Sequence, residues 1–117
     1  MAADASLTLV FCTTAIPGVH RWPNAPEEVA YLRDEHRHNF HVKAWAQVIH
    51  DDRQVEFITL QLQVRSAMHT SYPLAFPGVL DLGTHSCEQV ARMLVGALNL
   101  YACQVSEDGE NGAIIYA

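Results

Sequence analysis

The chain of 117 residues is poor in positive charge. Its basic residues are Arg21, Arg33, Arg37, Lys43, Arg53, Arg65 and Arg92, spread without a cluster under a formal net charge of -6. Nucleic-acid binding needs a positive footprint, and this sequence has none. Long apolar runs are lacking too, so no segment is expected to span a bilayer. The opening MAADASLTLVFCTT has no basic start and no extended apolar stretch, which argues against a secretory leader. Cysteines are few and scattered, at Cys12, Cys87 and Cys103. They form neither a disulfide framework nor a CxxC site, and a reducing, cytoplasmic setting is expected. Only 17% of the residues are charged while half are apolar, which hints that partner subunits cover some of the surface. The length suits a single domain over residues 1–117.

What the chain does have is histidine, concentrated in EHRHNFHV at residues 35–42. Alternate side chains of a strand share a face, so His36 and His38 point together if the strand begins early enough, and His41 points away. Two neutral imidazoles make two of the three protein ligands that a catalytic zinc site needs. The best third candidate is His20, which follows Pro17 and Gly18 near the end of the first strand. His50, His69 and His85 compete for that place. The bland alternative is a wet strand whose histidines each bond a backbone carbonyl.

Around this cluster the pattern predicts a small α+β protein with an antiparallel sheet and helix on one face. Residues 7–14 read as a strand, with Leu7, Leu9 and Phe11 on one side. Residues 16–28 are punctuated by prolines and glycine, and Pro26-Glu27-Glu28 opens a short helix reaching Tyr31 or Arg33. Residues 38–50 alternate, with His38, Phe40, Val42, Ala44, Ala46 and Val48 on one face. A turn at 51–54 and a second alternating run, Ile58, Leu60, Leu62 and Val64, predict a long hairpin. Residues 66–85 suit no long regular element. Ser86 and Gln89 have capping-box spacing before a helix with Val90, Met93, Leu94, Ala97 and Leu98 on its apolar face. Two closing strands, 100–105 and 113–116, flank the acidic turn SEDGENG.

IPGVHRW followed by HRHNFHVKAWAQV resembles the 6-pyruvoyltetrahydropterin synthase and 6-carboxytetrahydropterin synthase family, and the helix beginning SCEQVARML and the tail CQVSEDGENGAIIY extend the likeness over nearly the whole chain. The resemblance implies a tunnelling fold (T-fold) whose barrel forms by homo-oligomerisation as a trimer or hexamer. It implies Zn2+ held by His20, His36 and His38, and a pterin-like small molecule anchored by Glu107 or Glu110. It implies a zinc-dependent lyase-like activity on a dihydropterin triphosphate or a related pterin or deazapurine intermediate. The alternative is an inactive relative that binds such a molecule or serves as an assembly subunit.

Three positions depart from the family. Leu32 stands where the catalytic cysteine belongs, four residues before the first histidine of the pair. The Asp-His dipeptide is missing; His69 is the candidate for its histidine, with Met68 at the aspartate's place, and the first family helix looks shortened or lost. Arg37 replaces the glycine between the paired histidines. Asp34, on the face of His36 and His38 by strand spacing, is the candidate replacement base, ahead of Glu35.

Overall fold

The computed structural model describes residues 7–117, so the leader reading falls partly outside the described residues. Strands β1 (Thr8–His20) and β2 (His36–Val48) form a long antiparallel ladder, paired from Thr8 opposite Val48 to His20 opposite His36. β1 therefore runs six residues past the predicted end at Thr14, straight through Pro17 and Gly18. The reason is local. Gly18 lies against Phe40 and Leu82, and a Cβ there would come within 2.9 Å of Leu82 Cδ1 and 3.0 Å of Phe40 Cδ2. The glycine makes room for a close approach and does not break the strand.

A 3-10 helix at Glu27–Arg33 joins the two strands, opening after Pro26 with acids in its first turn as expected. The predicted hairpin after β2 is not formed. Residues Phe57–Ser71 are instead α1. The alternating set 58, 60, 62, 64 also contains a four-residue spacing that Met68 completes, and Leu60, Val64 and Met68 are the residues buried. Leu62 and Ile58 face solvent. The Glu56 carboxylate starts this helix by accepting the backbone N–H groups of Ile58 and Thr59 at 2.8 and 2.9 Å. The first helix, expected to be shortened or lost, is thus present over 15 residues.

The chain then forms β3 (Leu74–Phe76) and β4 (Val79–Asp81) before α2 (Cys87–Leu98). α2 carries the predicted capping box between Ser86 and Gln89 and ends on Asn99 in the left-handed conformation. Its core-facing residues are Cys87, Val90, Ala91 and Leu94, so Ala91 takes the inward place expected of Ala97, which is exposed. β5 (Ala102–Glu107) and β6 (Asn111–Tyr116) close the sheet.

The sheet order is β3-β4-β1-β2-β5-β6. All pairings are antiparallel except β1 with β4, a short parallel contact at Gly18–Leu80 and Val19–Asp81, so the sheet is mixed where a purely antiparallel one was expected. Even-numbered residues of β1 and β2 and odd-numbered residues of β5 meet both helices in one core that includes Ile16, Phe40, Val42, Leu60, Val64, Leu94 and Val105. The first half of β1 has no strand on its outer side among the described residues, and Gln61 of α1 covers it by donating to the Thr13 carbonyl at 2.6 Å. Leu9 and Phe11 belong to the opposite face, where Lys43 Nζ sits 4.4 Å from the Phe11 ring centre and 5.0 Å from that of Trp45. No helix among the described residues is long and apolar enough to cross a membrane.

Candidate metal centre and cleft

The long β1–β2 ladder delivers the histidines. His20 ends β1 directly opposite His36, the first residue of β2, and His38 lies two residues on, opposite Gly18. All three occupy the helix-bearing face. One ring nitrogen from each lies within 4.8 Å of the others. Phe40 supports them edge-on from below, with ring centres 5.1 Å from His20 and 5.7 Å from His38.

Every Nδ1 of the trio is engaged. His20 Nδ1 is 2.9 Å from the His85 carbonyl, His36 Nδ1 is 2.8 Å from the Asp34 carbonyl, and His38 Nδ1 is 2.7 Å from Asp108 Oδ2. Carbonyl and carboxylate oxygens only accept, so each Nδ1 carries a proton, which leaves Nε2 as the nitrogen able to offer a lone pair to a metal. This is the outer arrangement that fixes imidazoles as metal ligands. The Nε2 atoms of His20 and His38 are sealed from solvent and have no hydrogen-bond partner among the described residues. Burial is the main cause that holds the His20 pKa below the ordinary histidine value, which also favours the neutral, ligating form. The donor set fits zinc.

Asp108 sits in the turn between β5 and β6 with a positive φ of 57°. Its other oxygen accepts the Asn39 backbone N–H at 2.9 Å. The hydrogen bond from His38, then that from Asn39, holds its carboxyl below the usual carboxylate range.

A cleft of about 860 Å³ opens beside the trio, with His20, Trp22, Leu32, His36, Cys87 and Glu107 on its walls. Glu107 registers opposite Phe40 and so shares the histidines' face. Its carboxylate oxygens lie 3.1 Å from His20 Nε2 and 3.4 Å from His38 Nε2. Glu110 is exposed in the turn, does not line the cleft, and reaches Glu107 only through its backbone N–H. Asp34 contributes its backbone carbonyl to His36, while the residue itself is exposed and off the cleft walls. His69 is not brought to the cleft. On a helix consecutive residues diverge, and because Met68 is fully buried its neighbour His69 faces solvent. His50 is likewise exposed, near the turn after β2.

Leu32 does line the cleft, at the place where the resemblance would put a cysteine. Cys87 is on the wall too, but burial, and then the charges of Glu107 and Glu88, push its thiol up to about 12. It is a protonated packing residue at neutral pH. Sequence reasoning missed two groups. Asp108 lay in plain view within EDGEN, yet nothing local signalled that its partner is His38. The His85 carbonyl has no sequence signature at all.

No family model matches the chain, and no curated protein matches it by sequence. Its likenesses are found by shape. It superposes on 6-pyruvoyl tetrahydropterin synthase from Caenorhabditis elegans with a TM-score of 0.64 over 99% of both chains, at 13% identity. The fold is that of the 6-pyruvoyl tetrahydropterin synthases. An uncharacterized protein from Wolinella succinogenes shares it, with a TM-score of 0.67 over 96% of this chain and 99% of the other, at 10% identity. The tunnelling fold accounts for the long first ladder and for both helices lying on one face of the sheet.

Proposed function

We propose that the chain is a zinc-dependent, lyase-like enzyme acting on a dihydropterin triphosphate or a related pterin or deazapurine intermediate. One observation carries the reading: three histidines, each with Nδ1 tied to an oxygen acceptor, gather one ring nitrogen each within 4.8 Å of one another beside the cleft. His20, His36 and His38 would hold the ion. Bound there, zinc supplies Lewis-acid polarisation of substrate oxygens, which lowers the cost of removing a proton from the adjoining carbon. Glu107 offers a carboxylate that accepts the paired N–H groups of a pterin edge. Trp22 and Leu32 give a flat ring apolar walls. Arg21, also on the cleft, would meet a phosphate. Asp34, the proton carrier expected from the sequence, has its side chain exposed and off the cleft walls, so it would reach a bound substrate only by moving.

A second reading is favoured by Leu32 and by the Cys87 thiol. With no thiolate on the cleft, the chain acts as a binder of pterin-like molecules or as an assembly subunit. Incubation of zinc-loaded protein with dihydroneopterin triphosphate, followed by triphosphate release, separates the two. Release that is lost in H36A/H38A supports the enzyme. Saturable binding without release supports the binder.

The chain is proposed to work as a homo-oligomer, trimer or hexamer, in the cytoplasm. The sheet face away from the helices supports assembly: Phe11, Ile114 and Tyr116 are exposed there around Lys43 and Trp45. Such a stripe is unusual on a monomer's surface. The reduced, buried Cys12, Cys87 and Cys103 suit a reducing compartment. Sedimentation equilibrium tests the assembly, and a monomer at micromolar concentration would refute it.

A further inference from the structure

We propose that Glu107 is itself a ligand of the metal, the fourth from this chain, and closes the centre while the cleft holds no substrate. The inference rests on the zinc reading above and concerns what fills the position that three histidines leave open.

Spacing is the first support. Two donors that share one four-coordinate zinc, each about 2.0–2.1 Å from it, lie about 3.3 Å apart. The Glu107 oxygens stand 3.1 Å from His20 Nε2 and 3.4 Å from His38 Nε2. These are the separations of neighbouring ligands around a single ion. They are not hydrogen bonds: neither Nε2 has a hydrogen-bond partner among the described residues. With Nδ1 protonated, a ring in its neutral form presents an Nε2 lone pair, and a lone pair beside a carboxylate oxygen is repulsive unless a proton or a metal ion lies between them; the missing hydrogen-bond geometry at both Nε2 atoms favours the metal.

Charge is the second support. The trio has two carboxylates against it, Glu107 on the cleft side and Asp108 behind His38. A dication offsets both. The third support is the framework. Glu107 is fixed by strand register opposite Phe40, two residues along β2 from His38, so its approach follows from the sheet. A substrate that binds through vicinal oxygens must then displace Glu107, which frees the carboxylate for the N–H groups of the incoming ring.

The test uses the full-length protein loaded with cobalt(II), whose visible bands report its ligands, and imidazole as an uncharged probe of an open position. E107Q keeps the size of the side chain and removes its charge. The expected result is that wild-type protein resists imidazole, whereas E107Q takes it up with at least tenfold higher affinity and shifted bands. E107Q should also bind zinc at least about tenfold more weakly, the lower end of what loss of even an outer-sphere partner costs. Equal imidazole uptake and equal zinc affinity in the two proteins, both folded by circular dichroism, would overturn the assignment and leave Glu107 a substrate residue only. Wild-type protein that takes up neither metal would overturn the zinc reading as well, and so reads differently from failure of the Glu107 assignment alone.

Discussion

Replacing Gly18 with alanine tests whether the proposed metal site depends on a single close approach in the sheet. Gly18 has no positive φ, so alanine meets no backbone penalty there, and Gly-to-Ala changes at compatible positions normally stabilise by about 0.4–1 kcal/mol through the unfolded chain. Here the new methyl would stand 2.9 Å from Leu82 Cδ1 and 3.0 and 3.1 Å from two atoms of the Phe40 ring. Both neighbours are core residues with almost no exposure. Inserting a carbon into such a place costs about 1–3 kcal/mol. The steric cost wins, leaving a net loss of about 1–2 kcal/mol, or about 4–8 °C in Tm for a chain of this size. Because Phe40 supports His20 and His38, zinc affinity should fall together with Tm. Calorimetry and a competitive chelator titration measure the two. A Tm equal to or above that of wild type would refute the packing argument, and a lowered Tm with unchanged zinc affinity would refute the link from Phe40 to the site.

Three other outcomes follow from the same geometry. D108N keeps a residue type that tolerates the positive φ at this turn but removes the charge behind His38, and zinc should dissociate about 10- to 100-fold more readily; affinity within twofold of wild type in the chelator titration would show that Asp108 does not orient His38. L62D should fold with a stability change of about 0.5 kcal/mol or less, since Leu62 faces solvent, whereas V64D buries an unpaired charge and should abolish cooperative unfolding; equal damage from both would point back to a strand, on which the two positions share a face. The N–H groups of Ile58 and Thr59 hold the Glu56 carboxyl below its usual 4.5, so its contribution is present above that pH and is lost as pH falls through the lower folded value. The Tm of E56Q, followed downward in pH, should therefore decline less steeply than that of wild type below about pH 4.5, and parallel curves would count against the cap.

The sequence made the site more legible than the fold around it. His36 and His38 were readable as a pair because a strand has a two-residue period, and His20 because it follows a proline and glycine near the end of β1. The structure brings these three together. The helix at Ser86 was equally plain, since its capping box is a local code read from four residues. Two places misled. Pro17-Gly18 has the look of a turn, and only the packing of Phe40 and Leu82 from elsewhere in the chain shows why a strand tolerates it. Residues 58–64 alternate like a strand, and the decision for helix lies at Glu56 and Met68, outside that window. Long-range contacts such as Asp108 with His38 leave no trace in local pattern. They depend on β5 pairing with β2, which no short motif encodes.

Metal stoichiometry asks without intermediary whether His20, His36 and His38 form a zinc centre. The protein is purified without a histidine tag in metal-replete medium, and zinc is measured per chain in wild type and in H36A/H38A. Close to one zinc per chain is expected in wild type, and essentially none in a double variant that remains folded. Wild-type protein free of zinc, or equal zinc in both proteins, would contradict it.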